Sequence, residues 1–204
     1  MDIFLPTKIK LFVFMEYPLL YQVFNKYINL PVESYLDIEN RLVRKTLDNK
    51  EYLIKEGGII KYLPFINDGL MVNYRVNESG ERYVLQIGSS GGWLGDLYSF
   101  FSGNPTRFNI QAYRATELLM ISHETFEYMT TEYPVFEKFF RLVIQNAYVK
   151  TIDTKYRDNS LSAEMRYLEL IKKTPTILDD IPHYLIASYL NIKPQSLSRI
   201  RKKL

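Results

Sequence analysis

Gly69-Leu70-Met71-Val72-Asn73-Tyr74-Arg75-Val76-Asn77-Glu78-Ser79-Gly80-Glu81-Arg82-Tyr83-Val84-Leu85-Gln86-Ile87-Gly88 is the stretch from which the fold is read. Two runs rich in Val, Leu and Tyr flank the polar turn Asn77-Glu78-Ser79-Gly80. β-Branched and aromatic residues suit a pleated surface, and Asn and Gly suit the turn between two such strands. The same punctuation continues outward. Gly57-Gly58 precedes the run Ile59-Ile60-Lys61-Tyr62-Leu63, Asp68-Gly69 follows it, and Gly88 to Gly92 closes the series. All nine glycines lie between Gly57 and Gly103. Glycine supplies the positive φ angles of tight turns and weakens helix interiors, so the middle is turn-rich and both flanks are free to be helical. Turn spacing of about 8–12 residues predicts a sandwich or barrel of short antiparallel strands. Leu42–Thr46 and Glu51–Ile54 read as strands before it, Phe108–Ala112 and Glu117–Ile121 as strands after it.

On the N-terminal flank, Leu20, Phe24 and Tyr27, with Val23 and Ile28 beside them, form one helical stripe. Pro31 opens a second short helix containing Tyr35 and Leu36. Met15 reads as the natural start, with residues 1–14 an upstream extension. After the strands the period changes to that of a helix. His123–Thr130 is short, and Pro134 opens a long helix reaching about Tyr156. Phe136, Phe140, Val143, Ala147 and Thr151 recur on it at helical spacing, with Phe139, Ile144 and Tyr148 alongside. This stripe predicts a seam between two copies of the helix, hence a homodimer; packing wholly on its own β-domain is the other reading. Asp158-Asn159-Ser160 reads as a hinge.

Beyond it, Met165, Leu168 and Ile171 form a helical stripe that Thr174-Pro175-Thr176 ends. Ile186, Ala187, Leu190, Ile192, Leu197 and Ile200 then have the spacing of a helix-turn-helix, with Asn191 at the turn and Pro194 in the first turn of the final helix. From Ser160 to Leu204 there are eight Lys/Arg against four Asp/Glu, and the last twelve residues hold five basic side chains and no acid. A basic end of this kind points to a polyanion. Gln195, Ser196, Ser198, Arg199 and Lys202 are the outward residues of the final helix, with Lys193 at its start and Arg201 beside them. Gln and Arg make bidentate contacts to base edges, and Ser and Lys suit phosphate. An ordinary helical hairpin shares the apolar spacing but has no need of a basic, acid-free second helix. A regulatory module whose hairpin binds a protein, or a metal-free enzyme on the β-roll, are the competing readings.

Composition narrows the chemistry. With 204 residues, 47 % of them apolar, the chain can build a substantial core. The absence of cysteine removes disulfides, thiolate nucleophiles and iron–sulfur clusters. Two histidines, His123 and His183, do not make a metal site, and no nucleophile–base pair stands out, so no catalytic residue or enzyme class is supported. No apolar run reaches the ~18 residues of a membrane helix, and the chain reads as a soluble cytoplasmic protein.

The order of helices, glycine-punctuated β-roll, long helix and C-terminal helix-turn-helix resembles the Crp/Fnr transcriptional regulators from about Met15 onward. The stretch from Ile181-Pro182-His183-Tyr184 through Asn191-Ile192-Lys193-Pro194-Gln195-Ser196-Leu197-Ser198-Arg199 to Lys202 is similar to the branch of that family found in Bacteroidetes. The resemblance implies an α+β fold: an antiparallel, cyclic-nucleotide-binding-like β-roll with flanking helices over residues 15–132, a dimerisation helix over 133–157, and a helix-turn-helix domain over 160–204. It implies a cytoplasmic homodimer that binds near-palindromic double-stranded DNA, with RNA polymerase a further candidate partner and a small molecule as effector. The family's nucleotide pocket has Gly-Glu-Leu, whose Glu holds the ribose, and then Arg-Ser or Arg-Thr, whose Arg holds the cyclic phosphate. Here Gly95-Asp96-Leu97 and Thr106-Arg107 stand in those places, making these five the candidate effector residues. Asp is one methylene shorter than Glu, and the Thr-Arg order is reversed. Cyclic AMP is therefore expected to bind weakly or not at all, and the effector's identity stays open.

Overall fold

The computed structural model describes residues 15–175 and 177–203, apart from the side chains of residues 150, 154, 155 and 157–159. The reading of residues 1–14 and of Thr176 lies outside the described residues. Helices α1 (Pro18–Asn25) and α2 (Val32–Glu39) lead into strands β1 (Val43–Leu47), β2 (Tyr52–Ile54), β3 (Tyr62–Asp68), β4 (Leu70–Val76) and β5 (Arg82–Ser89). After α3 (Leu97–Ser102), β6 (Asn109–Ala112) and β7 (Thr116–Ser122) complete the sheets. The strands form a three-stranded sheet in the order β1-β7-β3 and a four-stranded sheet in the order β2-β6-β4-β5. Every pairing is antiparallel. The expected mixed α+β architecture and its antiparallel sheets are present.

One expected strand is displaced. The run Ile59–Leu63 contributes only its end, and the strand continues through Pro64-Phe65-Ile66-Asn67-Asp68. Pro64 discourages a strand reading because it cannot donate to a ladder. Here β3 is an edge strand, where that defect is tolerated, and its free side is covered by the segment after β5. Ile66 N donates to Gly92 O at 2.9 Å, Gly91 N to Ile66 O at 2.8 Å, and Leu94 N to Pro64 O at 3.3 Å.

Between β3 and β4 the chain crosses from one sheet to the other at Gly69, whose φ is +126°. A Cβ there would stand 2.7 Å from Thr116 Cα. The β4–β5 hairpin closes through Asn77 O, which accepts Gly80 N, and Asn77 Oδ1, which accepts Glu81 N at 2.8 Å. Gly80 also has a positive φ, +81°, but open space around it.

Helices α4 (His123–Glu132) and α5 (Val135–Ser160) follow the sheets. The start of α5 is sewn into the core by aromatic rings. Phe24 of α1 meets Phe136 and Phe139 edge-on at 5.0 and 4.9 Å, and Phe126 meets Phe140 at 4.5 Å. Offset and edge-on ring pairs add to the burial energy of each ring. The helix runs through the expected hinge to Ser160. The break comes at Leu161-Ser162 because the Ser162 hydroxyl accepts Met165 N and starts α6 (Ala163–Lys173). A short helix α7 (Ile177–Asp180), α8 (His183–Tyr189) and α9 (Pro194–Lys203) complete the described chain.

These last helices do not make a separate core. Tyr167, Leu170, Ile181, Leu185, Ile186, Leu197 and Ile200 bury themselves with Leu70, Val72 and Tyr74 on the outer face of β4. Met71 faces the inner core instead. Both faces of β4 are thus covered, which is why it is buried continuously from Leu70 to Tyr74. Gly69→Ala is expected to cost roughly 2–3 kcal/mol, since a methyl group would both meet Thr116 backbone and force a positive φ. Gly80→Ala, strained but unobstructed, should cost about 1 kcal/mol. Urea unfolding of the two variants checks the difference.

Candidate effector pocket and nucleic-acid interface

The candidate effector residues part company in the structure. Asp96 is the N-cap of α3: one carboxylate oxygen accepts Tyr98 N at 3.0 Å and Ser99 N at 3.4 Å. The other accepts the Thr106 hydroxyl at 2.7 Å. Asp96 and Thr106 are 7 % and 1 % exposed, so this pair is a buried brace and its oxygens are already engaged. Thr106 also joins the loop to the turn before β3, donating from N to Gly58 O at 2.7 Å and accepting Gly57 N at 2.8 Å. Arg107, the next residue, lies exposed on the loop. The sequence carried a signal for the brace: Asp is a preferred N-cap, and Ser99 falls three residues after it.

Gly95 and Leu97 face elsewhere. They line a cavity of about 100 Å³ between the β-roll and α5, together with Leu63, Trp93, Phe101 and Phe139. Val143, Ile144 and Ala147 of α5 complete its wall. The lining is almost wholly apolar, and the Trp93 Nε1–H is buried there without a hydrogen-bond partner. Among the described residues no cation lines it.

The predicted seam on α5 divides along its length. Phe136 is fully buried and Phe140 is 8 % exposed, both inside the chain's own core, so packing on the β-domain holds for these turns. Val143 is half-buried, and Ala147 and Thr151 are exposed. Further along, Ile144, Tyr148, Ile152 and Tyr156 recur every four residues and stand 43–71 % exposed.

At the other end of the molecule, α8 finishes in a turn that brings α9 across it. Asn191 takes φ +52°, Ile192 N donates to Ala187 O at 2.9 Å, and Asn191 N to Ser188 O at 3.0 Å. This pair of bonds satisfies the last carbonyls of α8 and needs a residue that tolerates the left-handed region. Leu197 and Ile200 fasten α9 underneath. Lys193, Gln195, Ser198, Arg199, Arg201 and Lys202 are exposed, and Ser196 is half-buried. Ser198 spends its hydroxyl on Pro194 O at 3.1 Å, and the Arg201 guanidinium is turned back onto the His183 ring. Gln195, Arg199 and Lys202 remain as the outward, acid-free set.

Sequence reasoning missed how α8 meets the sheet. β5 is an edge strand, and Ser188 fills its open side: Val84 N donates to Ser188 Oγ at 2.9 Å, and Ser188 Oγ donates to Arg82 O at 2.8 Å. Only the small size of Ala187-Ser188, which permits a close approach, hinted at this contact.

Residues 44–133 match the family model of the cyclic nucleotide-binding domain. No curated protein matches the chain by sequence. Among solved structures, FixK2 from Bradyrhizobium japonicum is 16 % identical, with a TM-score of 0.66, over 80 % of this chain and 84 % of that one. A protein from Eubacterium rectale assigned to the Crp/Fnr family of transcriptional regulators is 13 % identical, with a TM-score of 0.64, over 85 % and 83 %. The catabolite activator protein of Thermus thermophilus is 17 % identical, with a TM-score of 0.52, over 86 % and 84 %. Residues 44–133 are thus similar to the cyclic nucleotide-binding domain, and the chain shares the fold of these solved structures. Among the described residues no helix is long and apolar enough to cross a membrane.

Thr106→Val would keep the shape of the buried brace and remove a donor from the Asp96 carboxylate. It is expected to cost roughly 1–3 kcal/mol, and Thr106→Ser to restore most of that. Denaturant unfolding monitored by Trp93 fluorescence measures both.

Proposed function

We propose that the chain is a Crp/Fnr-type transcriptional regulator that binds DNA in a sequence-specific manner through α9 and answers to a small effector through its β-roll. On this reading residues 15–132 form the sensor, 133–157 the dimerisation helix and 160–204 the helix-turn-helix domain. The observation that carries it is the outward face of α9. Gln195 and Arg199 are one turn apart on an exposed face, Lys202 follows, and the helix holds no acid. A protein-binding hairpin would not need such a face, whereas a recognition helix in a major groove does. Homodimerisation fits the exposed stripe Ile144, Tyr148, Ile152 and Tyr156. Burying a large apolar side chain is worth about 1.5–3 kcal/mol, and a two-fold seam would bury each of them twice.

The effector reading departs from cyclic AMP. A cyclic nucleotide needs an acceptor for its ribose and a cation for its phosphate. Asp96 is consumed by Tyr98 N, Ser99 N and Thr106, and the cavity beside α5 is lined by apolar side chains. A phosphate brought into such a wall would lose its hydration without a partner. These features favour an uncharged, apolar effector for the cavity.

Arg199→Ala is expected to relax base preference at one position of each half-site, by about 1–3 kcal/mol of discrimination. Lys202→Ala should weaken all sequences alike and flatten the salt dependence. In a binding-site selection, an unchanged preference with Arg199→Ala would hand the face to a protein partner. In titration calorimetry, cyclic AMP should show no micromolar binding; such binding, abolished by Arg107→Ala, would return the pocket to a nucleotide.

A further inference from the structure

The joint between α8 and the four-stranded sheet holds cations without counter-charges. Arg82 Nη1 donates to the Tyr113 hydroxyl at 3.1 Å, and the Arg82 guanidinium carbon lies 4.7 Å from the centre of the Tyr74 ring. Lys50 Nζ stands 3.6 Å above the same Tyr113 ring. Two positive side chains thus share one phenol. Among the described residues neither forms an ion pair with a carboxylate; the described pairs involve Arg41, Arg44 and Arg114.

The phenols do not supply the missing charge. Burial pushes the Tyr113 hydroxyl up to about 12 and raises that of Tyr74 as well, so both stay neutral near pH 7. Burial, and then the nearby Arg82 charge, holds the Lys50 ammonium below its ordinary value. A ring face offsets part of a cation's charge, and like charges brought together in a partly desolvated place still repel. Tyr74 is held in position by more than these contacts. Tyr74 donates to Gln111 Oε1 at 3.2 Å and shares a hydrogen bond with Tyr52, while Gln111 Nε2 reaches back to Lys50 O at 2.7 Å.

Arg82 also opens onto a cleft of about 620 Å³ between the sheet and the start of α9. Its other wall carries Tyr184, Ser188, Asn191 and Lys193. Lys193 is the second cation lining this cleft, and Lys50 stands outside it, next to Arg82 across Tyr113. Glu81 is the acid on this cleft, and its carboxylate accepts Asn77 Nδ2 at 3.1 Å within the hairpin turn.

We propose that Arg82 and Lys193, which line the cleft, form a binding site for a small phosphate-bearing anion at the joint of the sheet with α8 and α9, with Lys50 adding its positive field from across Tyr113, separate from the cavity beside α5. Guanidinium and ammonium groups that lack a carboxylate are the groups that take phosphate oxygens. The cleft is wider than one phosphate needs, which favours a diphosphate or a nucleoside diphosphate. Exposed Tyr184 at the rim offers a ring for a base. An anion held there would tie the sheet, through Arg82, to the first turn of α9, through Lys193. The inference does not depend on DNA binding by α9.

Titration calorimetry of the full chain with pyrophosphate and with ADP, at low salt, tests it. At least one of the two should bind, with affinity at least tenfold weaker in Arg82→Gln and several-fold weaker in Lys50→Gln. Lys26→Gln, at the exposed end of α1, should leave it unchanged. Lys50 is exposed, so its variant should keep the fold by circular dichroism even if the Arg82 variant does not. Binding of neither probe, or binding indifferent to both substitutions, overturns the site. So does a result in which both substitutions weaken only random duplex DNA, because these cations would then serve the DNA backbone.

Discussion

The aromatic anchorage of α5 sets the geometry of the rest. Phe136, Phe139 and Phe140 are held by Phe24, Trp93 and Phe126, rings drawn from α1, the loop after β5, and α4. A helix fixed in its first two turns has a fixed axis, and everything beyond follows from that axis. The anchored turns, with Val143, Ile144 and Ala147 just beyond them, close one side of the small cavity, and later turns leave Tyr148, Ile152 and Tyr156 exposed. Rotating α5 by a single residue would put charged Glu137 and Arg141 where Phe136 and Phe140 meet the rings and lose that fit. The anchorage therefore decides both what the cavity is lined with and which stripe is left uncovered.

Much of the architecture is legible because it is written in local chemistry. Glycine-containing turns bound the strands, and β4 is delimited to the residue because Gly69 and Asn77 enclose it. Proline signals are equally local: Pro134 stands just before α5, and Pro194 is the first residue of α9. Where sequence and structure differ, a long-range contact has overruled a local rule. Pro64 argues against a strand unless the strand is known to lie at an edge, and edge position is a property of the whole sheet. The stripe on α5 is plain in the sequence, but periodicity cannot tell a residue buried by its own domain from one left for a partner. Phe136 and Val143 look alike in a helical projection.

The site is less legible than the fold for a related reason. Asp96 reads as a ligand by its place in a motif, and as a cap by its spacing to Ser99; only the position of Thr106 decides between them. Arg82 carries no sign at all. A lone arginine in a strand is ordinarily a solvated residue. Its significance comes from Lys50, Tyr74 and Tyr113, which are distant in sequence and meet only because β2, β4 and β6 are neighbours in one sheet. The C-terminal helices are recognisable from their own spacing, yet nothing in that spacing says that they complete their core with Leu70, Val72 and Tyr74.

That shared core has a consequence for the chain's life outside the native state. When α8 is in place, Ser188 occupies the two backbone groups of Arg82 and Val84 that an edge strand would otherwise offer to any passing strand. Remove it, and β5 becomes an unguarded template beside a newly bared apolar surface, the combination that recruits other chains into shared sheets. During synthesis the β-roll leaves the ribosome before α8 does, so it must spend that interval with its edge open. The C-terminal helices thus guard against aggregation in addition to any part they play on DNA, and a fragment cut after α5 would inherit the hazard permanently.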